Sequence, residues 1–360
     1  MNARLHWNLL PFDSRAGVLP SEWQQLNERR FGAHPLLDAD FLGPLLREYG
    51  DDSIRLARLY DGGDVLGLAL VRRVRPGKWA LFQPDQAPLG PIMVDLERVD
   101  ASGAIAGLLT SLPGLAAELE LTFLDPQFSP LPPQGPCVEW IPYATTMGVE
   151  TTGSFDEYWA ARKKQLRYNL RNYQKRLVEA GMEPRFEVIT EPDRIAWAVD
   201  DYGDLESRGW KAALGTAIHR SNSQGKVYRE IMRGFAERGS ALATRMLIGD
   251  RLVAGWLIIV SGGMAVMLKT TFDESLSDYA VGRVVLFHTL RHLFERDDIR
   301  VVEFYTKANA VQLQWSTISR PTYHANIYRY PVVHRSRRLL RAVARPFKRR
   351  RKAVAEAPGT

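Results

Sequence analysis

A single cysteine, Cys137, leaves no partner for an intramolecular disulfide and gives no support to a structural zinc site of the usual ligand sets. A reducing compartment is the expectation. No apolar run approaches the length of a bilayer span, and Met1 to Pro20 lacks the basic start and apolar stretch of a leader segment. A soluble or peripheral protein, cytoplasmic and at most resting on the inner face of the membrane, is therefore predicted. Also missing are a Gly-x-Ser-x-Gly elbow, a Walker loop and a Gly-x-Gly-x-x-Gly run after a strand, which removes the serine-hydrolase, P-loop and dinucleotide readings. His288 and His292 stand one helical turn apart, but no third ligand follows in register. They read as surface residues, and no metal is expected.

Acid is absent from one stretch. Between His334 and Lys352 lie ten basic residues and no carboxylate; setting those ten aside from the net charge of +7 leaves the body at −3. A slightly acidic body does not offer the broad cationic face that duplex DNA requires, so no specific nucleic-acid partner is expected. The tail itself sets Leu339, Leu340, Val343 and Phe347 among its cations. That composition suits either an anionic membrane surface or a solvated tail, with Pro346 limiting any helix.

What is present is a repetition. With 45% hydrophobic and 25% charged residues over 360 positions, the chain is long enough for two cores. From Ser21 to Leu124, and again from Trp197 to Tyr305, the pattern spells two helices, a strand pair turned on Gly-Asp (Gly63-Asp64, Gly249-Asp250), more strand, a helix and a last strand. One α/β unit used twice is predicted. The boundaries follow as 1–125 for the first unit, 126–150 for a proline-rich linker, 151–333 for the second unit and 334–360 for the basic tail. Phe155 to Ala180 reads as one long helix, with Leu166, Leu170, Tyr173 and Leu177 on one stripe and Lys164, Arg167, Arg171 and Lys175 opposite. That basic face is either a solvated surface or a wall toward an anion.

Three places could carry chemistry. Tyr279, Ala280, Val281, Gly282 and Arg283 open a helix after a strand, where unsatisfied N–H groups and the helix dipole favour a phosphate. Glu206, Arg208, Trp210 and Lys211 bring acid, base, aromatic and amine together near a helix end and are expected on a loop. Glu303 and Tyr305 alternate on a strand reading Val301 to Tyr305, so both point to the same side, as a general base and a general acid would.

These residues resemble the bacterial GNAT-like acyltransferases of the cellulose and exopolysaccharide-biosynthesis type, relatives of the Fem-type peptidyl transferases. The likeness covers most of Phe155 to Arg329. It rests on Lys164-Gln-Leu-Arg-Tyr-Asn-Leu-Arg171 running into Arg176 to Gly181, on Glu206-Ser-Arg-Gly-Trp-Lys211 with Gly215-Thr216, on Tyr279 to Gly282, and on Trp315 followed by Arg320-Pro321. The resemblance implies an α/β (α+β) fold of tandem GNAT-like domains, each a mixed, mostly antiparallel sheet flanked by helices, with the first a degenerate partner. It implies acetyl-CoA or another acyl-CoA as co-substrate, held by Tyr279 to Arg283, and transfer to an amine of a sugar-linked, lipid-linked or other anionic acceptor. Arg167 and Arg171 would face that acceptor or the donor's phosphates, together with the Glu206 to Lys211 group. Where family members carry an acidic residue and a Tyr-Lys pair, this chain has Asn309, Val311 and Gln312, so Glu303 and Tyr305 stand as the catalytic candidates. The alternatives are a Fem-type aminoacyl transferase using aminoacyl-tRNA and a non-catalytic tandem module binding an anionic glycan or lipid.

Overall fold

The computed structural model describes residues 6–209, 215 and 217–337. Trp210, Lys211, Thr216 and the tail from Arg338 onward lie outside them.

The first unit runs β1 (Trp7–Pro11), α1 (Ser21–Phe31), α2 (Ala39–Tyr49), β2 (Arg55–Asp61), β3 (Asp64–Arg75), β4 (Lys78–Leu81), β5 (Ile92–Val94), α3 (Ala101–Ser111) and β6 (Glu118–Leu124), followed by β7 (Val138–Glu150). Two helices intervene, α4 (Phe155–Ala160) and α5 (Lys164–Glu179). The order then recurs as β8 (Pro184–Ile189), α6 (Pro192–Glu206), α7 (Ser223–Ala236), β9 (Ala241–Ile248), β10 (Arg251–Ser261), β11 (Met264–Phe272), α8 (Val281–Phe294) and β12 (Val301–Glu303), followed by β13 (Ile318–Tyr328). The predicted class, helices flanking a mixed, mostly antiparallel sheet built twice over, is the observed one.

Pairing repeats as well as order. β1–β2, β2–β3 and β3–β4 are antiparallel and β4–β6 parallel, just as β8–β9, β9–β10 and β10–β11 are antiparallel and β11–β12 parallel. A parallel pair needs a crossover, which α3 and α8 supply in their respective units. The units then exchange their final strands: β7, trailing the first, pairs with β12 of the second, while β13, trailing the second, pairs with β6 of the first. β7 and β13 pair with each other, closing one 13-stranded sheet of order β1-β2-β3-β4-β6-β13-β7-β12-β11-β10-β9-β8 with β5 beside β3.

Alternation along the strands assigns the faces. On β10, Leu257 and Ile259 enter one core while Trp256, Ile258 and Val260 enter another. The first core is shared by both units, with Trp23, Phe41 and Leu45 from α1 and α2 packed with Ile195, Val199, Val227 and Ile231 from α6 and α7. The opposite face has two separate cores, one under α4, α5 and α8 and one under α3. Among the described residues no helix is long and apolar enough to cross a membrane.

Three boundaries differ from expectation for physical reasons. The long helix expected from Phe155 to Ala180 is two, because Lys163 is extended (φ −53°, ψ 135°) while Arg162 donates to the Ser316 carbonyl and Tyr158 to that of Trp315 at 2.6 Å. The stretch 126–150 expected as linker ends in β7, a strand at the middle of the sheet. The closing strand, expected over Tyr323 to Tyr330, is β13 and begins at Ile318, upstream of Pro321, since residues before Tyr323 pair only with β7 and the missing N–H of Pro321 costs no ladder bond on the open side.

The β10–β11 turn meets the first unit end-on. A Cβ on Gly262 (φ 57°) would lie 1.5 Å from the Gly32 carbonyl oxygen, whereas one on Gly249 (φ 59°) would meet nothing within 4 Å. Gly249→Ala is expected to cost only the left-handed backbone penalty of about 1–2 kcal/mol. Gly262→Ala adds a further ~1–3 kcal/mol of overpacking. Urea unfolding of the two variants checks this; equal losses would show that the turn does not seat the first unit.

Candidate functional site

β11 and β12 pair only over Met264–Val266 and Val301–Glu303, after which β11 continues to Phe272 and the other chain turns away. Past that last rung the sheet opens as a wedge, and one edge of β11 has no strand beside it. β11 is also bulged here: Ile258 opposes Met267 and Leu257 opposes Lys269, leaving Leu268 as the extra residue. Glu303 stands at the apex, on the face shared by both units.

Glu303 is 1% exposed and belongs to a buried polar chain drawn from four segments. Arg320 of β13 donates from Nη1 to Glu303 Oε1 at 2.7 Å and from Nε and Nη2 to the Asp125 carboxylate at 2.6–3.0 Å. One guanidinium thus serves two carboxylates, Asp125 at the end of β6 and Glu303 at the end of β12, and they outnumber its charge. The excess is relieved at Glu303: burial pushes its carboxyl up to about 7, against the opposing pull of Arg320 and with a further push from Asp125. Arg320 does not win because Asp125 holds most of its donors. Glu303 Oε2 has no hydrogen-bond partner among the described residues.

Tyr305, two residues on, lies in the left-handed region (φ 43°), so the strand expected to reach it ends at Glu303. Its hydroxyl meets His34 Nε2 at 2.8 Å, from the first unit. The Leu36 N–H donates to His34 Nδ1 at 3.2 Å, which places the imidazole proton on Nε2 and makes the ring the donor to Tyr305. Burial lowers the His34 pKa to about 3, so the ring is neutral. The Tyr305 pKa is raised well above the ordinary phenol value by burial first and then by the negative charge of Asp125. The phenol keeps its proton.

The second part of the wedge is the N-terminus of α8. Ala280 (φ 48°) caps the helix without a side-chain bond, its own N–H donating to the Ser277 carbonyl at 3.0 Å. The Arg283 N–H returns to the Ala280 carbonyl at 2.8 Å. Of the amides from Ala280 to Arg283, those of Val281 and Gly282 have no partner among the described residues. Arg283 donates to the Tyr173 hydroxyl at 3.0 Å, and the Arg176 guanidinium lies 5.5 Å from the centre of the Tyr279 ring. Neither arginine has an ion pair with a carboxylate among the described residues. Two arginines held by aromatic contacts stand beside two unpaired amides, Val281 buried and Gly282 half-buried, a donor set whose chemistry suits a diphosphate.

The remaining predicted residues divide. Leu166, Leu170 and Leu177 of α5 face inward as expected, leaving Arg167 half-buried and Arg171 exposed. Glu206, expected on a loop, is the last residue of α6 and is buried, accepting from the Ile218 N–H at 2.7 Å and the Tyr202 hydroxyl at 3.1 Å, with Lys269 Nζ at 3.9 Å. It therefore ties α6 to the following backbone and to β11. Arg208 is exposed, and Trp210 and Lys211 lie outside the described residues. α5 and α6 cover opposite faces of the sheet, and both reach the turn Glu274–Tyr279, on which α5 packs and against which Gly209 lies. His288, read as a surface residue, is instead stacked on Phe186 at 3.6 Å, where burial lowers its pKa to about 4.

His34, Asp125 and Arg320 had not been singled out as site residues. Arg320-Pro321 stood out only as a marker of family likeness, and nothing local marks His34 or Asp125; their convergence is a product of the strand exchange.

Glu303 binds a proton on folding, because its folded pKa is raised above the unfolded value. Its contribution to stability is complete below the unfolded value of about 4.5 and is lost as pH rises through about 7. Stability of the parent relative to Glu303→Gln should thus fall between pH 5 and 8, read by urea unfolding across that range. Arg320→Met, which strands both carboxylates, should cost about 3–5 kcal/mol at neutral pH, and less in the Glu303→Gln background. A flat pH difference and additive losses would contradict the shared-guanidinium geometry.

Residues 164–312 match the family described as acetyltransferase (GNAT) domain. No curated protein matches the sequence. Among solved structures, FemX is similar with a TM-score of 0.54 at 11% identity, covering 91% of this chain and 99% of that one. The C-terminal DUF2156 domain of a protein assigned as a lysylphosphatidylglycerol synthetase from Agrobacterium fabrum is similar with a TM-score of 0.52 at 12% identity, covering 88% and 93%. At such identities the likeness is one of fold: the chain has a GNAT-type fold, with the domain match covering residues 164–312.

Proposed function

We propose that the protein is an acyl-CoA-dependent N-acyltransferase, acetyl being the first acyl group to test, acting on an amine of a sugar-linked or otherwise anionic acceptor. One observation carries this reading: the wedge between β11 and β12 has a carboxyl titrating near neutrality at its apex and an anion cradle at the start of α8. The acyl-CoA supplies the activated thioester. The Val281 and Gly282 amides with Arg176 and Arg283 would hold its diphosphate, and the unpaired edge of β11 offers backbone groups to an extended amide-bearing arm.

Glu303 acts as the base. A carboxyl with a pKa of about 7 is half ionised at neutral pH, where it balances availability against proton affinity, and its unpartnered Oε2 takes the proton from the attacking amine, directly or through one water, as the nitrogen–carbonyl bond forms. The carbon–sulfur bond then breaks, and the departing CoA thiolate takes a proton from Oε2 or from solvent water. Arg320 fixes the orientation of that carboxyl through Oε1. Tyr305 keeps its proton and, bonded to His34, positions the backbone that leaves the apex; the role of general acid expected from the sequence gives way here to a holding role. Holding amine and thioester together removes the entropy of encounter, which accounts for much of the acceleration in such transfers. The exposed cations Arg171 and Arg208 suit an anionic acceptor.

Calorimetry should show acetyl-CoA binding, weakened about tenfold or more in Arg176→Ala/Arg283→Ala. Glu303→Gln should bind with unchanged affinity while thiol release with a panel of amino sugars and amino-sugar nucleotides falls by ~10²–10⁴. In the parent that rate should climb as pH rises through about 7. Absence of acyl-CoA binding, or binding indifferent to the arginines, rejects the donor assignment; undiminished turnover in Glu303→Gln rejects the base.

A further inference from the structure

Lys78 and Tyr328 both stand opposite Glu118 across the sheet, in a row through β4, β6 and β13. The turn before Lys78, the loop before Glu118 and the segment after Tyr328 therefore all leave the same end of the sheet. They touch: the Gly77 carbonyl accepts from the Ala117 and Glu118 N–H groups, and the Arg329 N–H donates to the Ala117 carbonyl at 2.9 Å. From these segments four large apolar side chains face solvent, Leu115 at 90% exposure, Val332 at 65%, Tyr330 at 57% and Val74 at 47%.

The charge at this end is one-sided. The Glu118 carboxylate is buried and surrounded by Arg75 at 3.4 Å, Lys78 at 3.3 Å and Arg337 at 2.9 Å, with Glu120 paired to the same Lys78 at 2.8 Å. Arg335 is exposed and has no ion pair among the described residues. The helical turns at 331–337 are fixed to the body by Arg337 and by His334, whose Nδ1 bonds the Pro136 carbonyl at 2.8 Å and whose ring stacks on Tyr328. From there the chain continues into Arg338 to Lys352, with eight further cations interleaved with Leu339, Leu340, Val343 and Phe347. Isolated exposed apolar residues need no explanation, but four on one end of the sheet, ringed by cations and continuous with a basic apolar segment, do.

We infer that this end of the sheet is a docking face for an anionic bilayer, with Val74, Leu115, Tyr330 and Val332 entering the interfacial layer and Arg75, Arg335 and the following cations lying against the headgroups. Such binding combines apolar insertion with attraction to acidic lipid, and neither part alone anchors stably. The folded body, rather than the tail alone, then sets the orientation on the membrane. This holds whether or not the acyl-CoA reading does.

The test is co-sedimentation of the full chain with phosphatidylcholine vesicles lacking or containing phosphatidylglycerol. The parent should bind only the anionic vesicles. Leu115→Asp/Val332→Asp, with the tail intact and an unchanged melting temperature, should weaken binding about tenfold or more. A chain ending at Arg337 should bind more weakly than the parent and still lose affinity on the same double substitution. Parent-like binding of the double variant would assign the attraction to the tail alone and overturn the proposal. So would equal binding to neutral vesicles, or a concentration-dependent dimer that the double variant dissolves without any lipid binding.

Discussion

One guanidinium joins a carboxylate of each half of this molecule at a buried site. Arg320 reaches from an exchanged strand to Asp125 of the first unit and Glu303 of the second, and it cannot neutralise both. A buried ion cluster of this kind is weak evidence for stability, since apolar replacements of the same shape are often as stable. What it does here is chemical: it leaves a carboxyl at the apex of an open wedge with a proton affinity suited to neutral pH, fixed in orientation by one oxygen and unpartnered at the other.

The exchange of final strands explains why that site needs both units. If β7 and β13 had each stayed with the unit preceding it, Asp125 and Arg320 would belong to different sheets and His34 would have no route to Tyr305. Because they cross, the first unit supplies a neutral imidazole and a carboxylate beneath a wedge that opens only in the second. In the first unit the equivalent parallel pair, β4 and β6, is flanked by β13 and preceded by the end of the sheet that carries the exposed apolar and basic residues. One half of the duplicated pair thus opens as a wedge, while the other supplies buried polar groups beneath it.

Much of the fold was legible because the periodicities were strong. The Gly62-Gly63 and Gly249-Asp250 turns sit between alternating strands, and Leu166, Leu170 and Leu177 mark a helix face that the structure buries. The start of α8 and the shared face of Glu303 and Tyr305 could be read from spacing too. What could not be read was anything depending on partners distant in sequence. The closing strand was expected from Tyr323, and only the one-sided pairing of β13 before Tyr323 shows how it begins at Ile318 and passes through Pro321. Glu206 looked like a loop residue because glycines follow it, yet its carboxylate is spent on Ile218 and Tyr202. His34, Asp125 and Arg320 lie in unremarkable local sequence and acquire meaning only when four segments converge.

The proposed donor site requires that the unpaired amides of Val281 and Gly282 receive the diphosphate of an acyl-CoA. Nitrogen-15 amide spectra recorded during titration with acetyl-CoA address it at those two atoms. The account predicts that Val281 and Gly282 shift and gain protection from solvent exchange as the ligand saturates, while Ala280 and Arg283, already bonded within the turn, change less. Saturable binding that leaves Val281 and Gly282 unmoved, with the largest shifts elsewhere in the sheet, would contradict it.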